Sequence, residues 1–417
     1  MKSEVGEQPE KKFSAKFLRA LHHKNYRLFF IGQTISLVGT WMQQIAMNWL
    51  VYRLTGSVFL LGTVGFATQM STFVLAPFAG VYADRWNRHK ILITTQSLSL
   101  LQALLMTVLI FTHVIAVWHI LVLAVFLGLI NAFDIPARQA FLVQMIDDRK
   151  DLPNAIALNS SMFNAARLIG PSLAGILIAL FGEGFCFLFN GISYIAVIIA
   201  LLSMKNFQPQ AKANTKKVWH NLREGFSYAF HLPAARTILT LLAIISLFGM
   251  PYSVLMPVFA KKIFLGGAHT YGFLTGATGV GALIAAFYLA GRKDAEGLGK
   301  ILFFGSLLFG ICLLLFSLSH NLVLSLFILV AIGFGQIVQM ASGNTILQTQ
   351  TDDAMRGRIM SIYTMAFRGF MPLGSLLAGT LAAIIGAPYT LCIGSTVCIF
   401  ASLFLRKYLA AISPKKK

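Results

Sequence analysis

Long apolar stretches separated by short polar segments dominate the hydrophobic pattern of this chain. A helix needs about 20 apolar residues to cross the hydrocarbon core of a bilayer, and stretches of that length recur throughout. The pattern predicts twelve transmembrane helices, at 28–51, 57–83, 90–112, 117–138, 155–180, 184–204, 236–260, 270–291, 300–318, 321–345, 358–383 and 386–405. The predicted fold class is therefore an all-α integral membrane protein.

The longest polar interruption divides these spans into six and six. Trp219, Leu222, Phe226 and Phe230 recur within it at spacings of three or four, which predicts an amphipathic helix from Val218 on the inner membrane face. The predicted order is an N-terminal tail, a six-helix bundle, a linker carrying this helix, a second six-helix bundle and a basic C-terminal tail, at 1–27, 28–204, 205–235, 236–405 and 406–417.

The two halves resemble each other in sequence. RLIGPSLAG begins at Arg167 in the fifth span, and RGFMPLGSLLAG begins at Arg368 in the eleventh. Each arginine precedes a proline by four residues. An always-charged guanidinium is costly at this depth unless it faces water or a partner. The repeat therefore predicts two pseudo-symmetric halves with a polar cavity between them, as in transporters.

Composition and charge add the orientation. Hydrophobic residues make up 57% of the chain, charged residues 12%, and the mean hydropathy is +0.74. Apart from Arg53, Lys261, Lys262 and the two membrane arginines, all Lys and Arg fall on one side if both termini are cytoplasmic. The net charge of +20 is then explained by anionic lipid headgroups. Because these residues are scattered over short segments, we expect no nucleic-acid partner.

Motifs for catalysis, nucleotide binding or metal binding are absent from the sequence. It contains no GxxxxGK[ST], HExxH or GxSxG pattern, and its four cysteines form no CxxC pair. The GATGVGA segment at 276–282 lies inside a predicted span, where its glycines indicate helix packing. We therefore expect no enzyme activity, no catalytic residue, no cofactor and no metal.

Polar side chains at mid-membrane depth are the candidate substrate-binding residues. Trp41, Gln44 and Asn48 share one face of the first span. Such residues can also form hydrogen bonds that hold helices together. The same depth criterion selects Asn131, Asn164, Arg167, Tyr252, Gln336, Gln339, Tyr363 and Arg368. We expect the two arginines to contribute most.

Asp134 is the one acid predicted inside a span, and it lies near the inner end of the fourth. One interpretation is a proton carrier whose pKa changes as a charged neighbour approaches and leaves. The other is a cytoplasmic gate in which Asp134 pairs with Arg85 or Arg138. We favour the gate.

The loop after the second span carries the most diagnostic motif, GVYADRWNRHK from Gly80. It resembles the GxxxDRxGRxx loop of the major facilitator superfamily. Asn87 replaces the usual glycine, and Asn tolerates the left-handed backbone of a tight turn. The resemblance implies that Gly80, Asp84, Arg85 and Arg88 belong to the inner gate.

Further segments narrow this resemblance. Gly170 and Pro171 begin an element similar to the GPxxGG motif of antiporters in the superfamily. NAFDIPARQAFLVQMI at 131–146 and the stretches around it resemble the enterobactin-exporter-like branch, also described as drug:proton antiporter family 3. The resemblance implies a bacterial inner-membrane carrier that exports a siderophore or drug-like compound, commonly in exchange for protons. We expect the carrier to be a monomer.

A cavity with two arginines and no deep carboxylate favours an amphipathic substrate that is anionic or neutral, because guanidinium binds carboxylate, catecholate or phosphate groups through paired hydrogen bonds. Two alternatives stay open. One is a carrier of the same fold with other cargo or direction, such as a lysophospholipid flippase or a siderophore importer. The other is a membrane receptor or scaffold that does not transport.

Overall fold

A computed structural model of the protein describes residues 18–205, 218–292 and 297–410. All regular secondary structure in these ranges is helical, which confirms the all-α class. The long helices are α1 (Lys24–Thr55), α2 (Val58–Arg85), α3 (Arg88–Phe111), α4 (Val117–Leu142), α5 (Leu152–Phe181), α6 (Glu183–Leu202), α7 (Pro233–Ile263), α8 (Ala268–Ala290), α9 (Leu298–Leu318), α10 (Leu322–Gln350), α11 (Asp353–Ile385) and α12 (Ala387–Phe404).

Each helix corresponds to one predicted span. In the part of the chain that the structure describes, eleven helices are long and apolar enough to cross a membrane. The remaining long helix, α1, has 32 residues, but Gln33, Gln43, Gln44 and Asn48 lower its apolar character. We refer to the side on which both termini are predicted to lie as the inner side.

The two halves use the same turn at equivalent places. The chain reverses between α5 and α6 at Gly182, with φ of +87°, and between α11 and α12 at Gly386, with φ of +88°. Glycine adopts this backbone region without the steric penalty of a side chain. The internal repeat seen in the sequence therefore extends to the loop that follows it.

Packing between the halves is also symmetric. α5 lies against α8, and α2 lies against α11. Glycines bring these helices together near their outer ends, since a Cβ atom on Gly272 would lie 2.9 Å from Gly175 Cα and one on Gly62 would lie 2.9 Å from Gly379 Cα. Such distances are shorter than carbon contacts allow, so only glycine permits this approach. The outer side of the molecule is closed.

The inner halves of the same helices look different. Polar side chains are exposed along α5, α10 and α11, where contact with lipid would be unfavourable. They are Ser160, Ser161, Thr345, Gln348, Ser361 and Thr364. We infer that they border a water-filled space that opens to the inner side.

α7 departs from regular α-helix, which the sequence pattern did not predict. It contains π-helical segments at Ile245–Gly249 and Phe259–Ile263, with Pro251 and Pro257 between them. Proline lacks the amide hydrogen that an α-helix requires, and π segments accommodate such breaks. The short helix between the two segments begins at Tyr252, a predicted binding residue.

The predicted amphipathic helix is present at Val218–His231. It docks on α11, because Glu224 pairs with Arg358 at 2.7 Å and the Tyr228 hydroxyl lies 3.0 Å from Asp352 Oδ2. The side chains of Trp219 and Leu222 lie outside the described residues, as do 1–17, 206–217 and 411–417 of the predicted tails and linker. Of the C-terminal tail, Arg406–Ala410 is helical.

A charged cluster attaches the N-terminal segment to the loop between α4 and α5. His23 Nδ1 lies 3.2 Å from Asp147 Oδ2, and His23 Nε2 lies 3.0 Å from Asp151 Oδ2. Arg19 also pairs with Asp151. Burial alone would lower the pKa of His23, but hydrogen bonds and charge interactions with the two carboxylates raise it above its ordinary value.

We expect this cluster to make stability depend on pH. Because the folded pKa of His23 exceeds the unfolded value near 6.5, the stabilisation is fully present below that value and is lost as pH rises through the folded pKa. A His23→Gln variant should lose about 1 kcal/mol at acidic pH and little at alkaline pH. Thermal unfolding of purified protein across pH measures this. The control is His22→Gln, which changes the exposed neighbouring histidine. A pH-independent difference in stability between the two variants would contradict the expectation.

We also expect the outer contact to control exposure of the interior. In Gly272→Val, the new Cβ would lie 2.6 Å from the Pro171 carbonyl oxygen. Overpacking costs about 1–3 kcal/mol, which shifts the open-to-closed ratio about 5- to 150-fold. Labelling of an Asn48→Cys variant by a membrane-impermeant maleimide from the outer side should rise accordingly. Gly357→Val is the control, since a Cβ there meets nothing within 4 Å. Equal labelling in the two variants would refute this role.

Candidate functional site

A polar cluster at mid-depth joins the two halves. Arg167 Nη2 on α5 donates to Gln336 Oε1 on α10 at 2.9 Å, and the Tyr252 hydroxyl on α7 donates to the same oxygen at 3.4 Å. Gln336 Nε2 in turn lies 3.1 Å from Met250 Sδ. Tyr252 and Gln336 are buried. The structure thus brings three predicted binding residues together, and Arg167 contributes to them from the N-terminal half.

Arg368 has different surroundings. Its side chain is exposed, and within residues 18–205, 218–292 and 297–410 it makes no hydrogen bond or ion pair. Its guanidinium is close enough to that of Arg138, on α4 of the other half, for the two to repel each other. The sequence predicts both arginines at one polar cavity between the halves, but their environments are not alike. They differ because Arg167 borders the closed contact between α5 and α8, whereas Arg368 lies toward the side that opens.

The predicted binding residues on α1 contact different neighbours. Asn48 Nδ2 donates to the Tyr271 hydroxyl on α8 at 3.2 Å, which adds a second polar link between the halves. Trp41 packs edge-on against Phe163 and covers Gly170, where a Cβ would lie 2.5 Å from Trp41 Cβ. The absence of a side chain at Gly170 therefore leaves room for Trp41 to pack there. The next residue, Pro171, is buried inside α5.

Gln44 is exposed, while its neighbour Gln43 is part of a buried network that the sequence analysis missed. Gln43 Nε2 donates to Gln102 Oε1 at 2.8 Å, and Asn190 Nδ2 donates to Gln43 Oε1 at 2.7 Å. These amides hold α1, α3 and α6 together inside the N-terminal half. Gln102 and Asn190 lie in otherwise apolar spans, where buried amides need hydrogen-bond partners. That feature of the sequence could have indicated the network.

The other predicted binding residues are less central. Gln339 and Tyr363 are buried in the packing of the C-terminal half, and the Tyr363 hydroxyl donates to the Met340 carbonyl at 2.8 Å. This differs from the cavity-facing position that depth alone predicted, because depth does not specify a helix face. Asn164 Nδ2 bonds to the Ser160 carbonyl of its own helix at 2.9 Å, and Asn131 is half-buried.

Asp134 is 3% exposed and fully engaged within the N-terminal half. Its Oδ2 lies 3.0 Å from Arg138 Nη2, one turn along α4. Its Oδ1 accepts hydrogen bonds from Thr95 Oγ1 at 2.9 Å and from Gln96 Nε2 at 2.8 Å, both on α3. The pair therefore does not bridge the two halves in this conformation, but it holds Arg138 near Arg368.

The loop after α2 has a different local structure from the one predicted. Asn87 has φ of −64° and ψ of 109°, so its backbone is not left-handed. Instead its side chain accepts a hydrogen bond from Lys90 N at 3.2 Å and caps α3. Arg88 Nη1 lies 3.5 Å from the Ala140 carbonyl on α4. The surroundings of Gly80 and the side chains of Asp84 and Arg85 lie outside what the structure describes.

Comparison with known proteins identifies the family. The sequence profile of the major facilitator branch described as "Transmembrane secretion effector" matches residues 15–415. The chain belongs to this family. The match confirms the predicted major facilitator resemblance.

Two relatives are similar to this secretion effector family member along most of its length. The "Staphyloferrin A transporter" of Staphylococcus aureus (strain NCTC 8325 / PS 47) is 28% identical over 377 residues, which cover 89% of this chain and 94% of that protein. The "Enterobactin exporter EntS" of Shigella boydii serotype 4 (strain Sb227) is 24% identical over 364 residues, covering 87% and 86%. The exporter-like resemblance is confirmed.

Solved structures support the fold. A bacterial homologue of the human lysosomal transporter Spinster, in an inward-facing and unoccupied conformation, aligns with a TM-score of 0.70 at 12% identity and covers 98% of both chains. The nucleoside transporter NupG aligns with a TM-score of 0.68 at 13% identity, covering 94% of this chain and 99% of its own. The secretion effector family member is therefore a multi-pass transporter of the bacterial inner membrane with a small-molecule substrate, and not an enzyme.

Proposed function

We propose that this transporter is a monomeric secondary exporter that carries an amphipathic anionic or neutral small molecule, a siderophore or a drug-like compound, in exchange for protons. The observation that carries the proposal is Arg368, an exposed guanidinium at mid-depth without a hydrogen bond or ion pair in the described residues. A guanidinium that faces the open space between the halves at this depth is typical of a substrate pathway, and without an anionic partner among the described residues it favours a cargo that supplies the anion.

Two guanidinium groups of opposite halves form the proposed cargo contact. Arg368 repels Arg138, which Asp134 holds in place. A carboxylate, catecholate or phosphate group between them would replace this repulsion by two attractive contacts, each of which guanidinium can make with paired hydrogen bonds. Cargo binding would thereby draw the inner part of α4 and the middle of α11 together and favour closure of the inner side.

The outer side would open in the same movement. Residues 28–204 and 236–405 would rock against each other around the central site, as in transporters built from repeated halves. Opening requires the glycine contacts to separate and the bond from Arg167 to Gln336 to break. Arg167 then acts as an outer latch that becomes free to contact cargo, while Gly80, Asp84, Arg85 and Arg88 contribute to the inner gate.

The cargo class also draws on the relatives, whose names include a siderophore transporter and a siderophore exporter. Purified protein in proteoliposomes should therefore move staphyloferrin A or enterobactin outward, faster with an imposed pH gradient. Ethidium serves as the cationic comparison and should bind poorly because the site has an excess of positive charge. Tight ethidium binding with no response to either siderophore, or to an anionic lysolipid, would refute the anionic-cargo proposal.

Replacement of Arg368 tests the central contact. We expect Arg368→Ala to weaken cargo binding about 10- to 100-fold, the value of a charge-assisted hydrogen bond, and Arg368→Lys to fall between it and the wild type. Thermal stability should change little, because Arg368 makes no bond among the described residues. Isothermal titration and transport assays measure the loss of cargo binding, and thermal unfolding measures the stability. Arg406→Ala removes the same charge from an exposed site near Phe303. An equal effect of both alanine variants would argue against a specific cargo contact.

Asp134→Asn distinguishes the gate from the proton carrier. In the gate role, the asparagine keeps the size of the side chain but releases Arg138, so transport should slow several-fold while its dependence on a pH gradient persists. Proton-driven uptake into inverted vesicles measures this. Asp148→Asn, which changes an exposed acid that caps Lys150 in the loop before α5, is the control. Loss of the pH-gradient response in Asp134→Asn alone would instead make Asp134 the proton carrier.

A further inference from the structure

A groove of about 590 Å³ lies between α3 and α4, separate from the proposed cargo site. Trp86 and Asn87, at the junction of α2 and α3, form its inner end together with Lys90. Its walls are almost entirely apolar. The apolar lining includes Leu98, Phe126, Leu129, Ile130 and Phe133, and Thr94 also borders the groove.

The groove opens toward the bilayer. α3 and α4 pack against other helices of the N-terminal half and not against the C-terminal half in the principal helix contacts. Thr94 is exposed, and Leu129 and Trp86 are 38% and 57% exposed. An apolar groove on the outside of a membrane helix pair is accessible to lipid chains without passing through the central cavity.

The dimensions match one leaflet. Lys90 lies near the inner end of α3. Leu98 lies eight residues deeper, which is about 12 Å along the helix. Half the hydrocarbon core of a bilayer is about 15 Å. The groove therefore extends from headgroup level through most of the inner leaflet.

Its chemistry changes with depth in the same way as that of a lipid. At headgroup level it presents the exposed ammonium of Lys90, the amide of Asn87 and the indole of Trp86, a residue type common at membrane interfaces. Below that level it presents aliphatic and phenyl groups. We propose that the groove is a binding site for an anionic phospholipid of the inner leaflet, with the phosphate at Lys90 and one acyl chain along Leu98 and Leu129.

The site shares a wall with the inner charge cluster. Thr95 lines the groove, and its hydroxyl donates to Asp134 Oδ1. A bound chain would pack directly against the residue that helps to hold Asp134 and Arg138. Lipid occupancy is thus positioned to influence the inner end of α4, but the binding site itself does not depend on the proposed cargo or on export.

Fluorescence quenching by brominated lipids tests the site in the full-length protein. Protein is reconstituted with phospholipids brominated on the acyl chains, carrying either phosphatidylglycerol or phosphatidylcholine headgroups. The difference between wild type and Trp86→Phe isolates the signal of Trp86, which is exposed and replaceable. We expect about fivefold stronger apparent binding of the anionic lipid near Trp86, the effect of one lysine at the membrane surface. Lys90→Gln should reduce this preference to near unity.

Two comparisons separate a groove-bound lipid from general attraction to the surface. Thr94→Phe, or Thr94→Leu if the larger residue impairs folding, narrows the groove but keeps Lys90, and should also abolish the preference. The signal isolated with Trp118→Phe, at the opposite end of α4, should show no headgroup preference. Equal quenching by both lipids at Trp86 would overturn the proposal. It would also be overturned if the preference survived in folded Thr94 variants, because Lys90 would then attract lipids without a groove.

Discussion

Backbone contact between glycines at the outer ends of α2 and α11, and of α5 and α8, is the constraint on which the rest of the structure depends. Side chains of any size at these positions would separate the two halves. Since the halves meet so closely on the outer side, the inner ends of the same helices diverge and leave polar side chains exposed. The contact therefore decides which residues are buried between the halves and which face water.

This asymmetry explains why two arginines in matching sequence contexts have different surroundings. Arg167 lies where the halves meet and donates a hydrogen bond to Gln336 of the other half. Arg368 lies where they separate and is exposed, with Arg138 as a like-charged neighbour. In the proposed transport cycle, opening the outer side would remove the partner of Arg167, so the environments of the two arginines would change in opposite directions.

Two acids near the ends of the N-terminal helices have basic partners. Asp134 has Arg138, Thr95 and Gln96, and at the outer end Arg53 Nε pairs with the buried Glu183 at 2.6 Å. Gln43 joins Gln102 and Asn190 by hydrogen bonds in the core of the same half. Hydrogen bonds and ion pairs within one half favour its movement as a rigid unit, which is what the proposed rocking between two states requires.

The chain's sequence determined the fold class, the helices, the repeat and the family, because a bilayer requires long apolar helices whatever their neighbours are. It also identified Arg167, Tyr252 and Gln336 as polar residues at one depth. Only the tertiary structure decided that these three meet, that Gln43 rather than Gln44 is buried, that Gln339 and Tyr363 lie inside helix packing, and that Asn87 caps a helix. The physical reason is that apolar length is a local property of the chain. The face a side chain presents, and the partner it finds there, depend on helices distant in sequence.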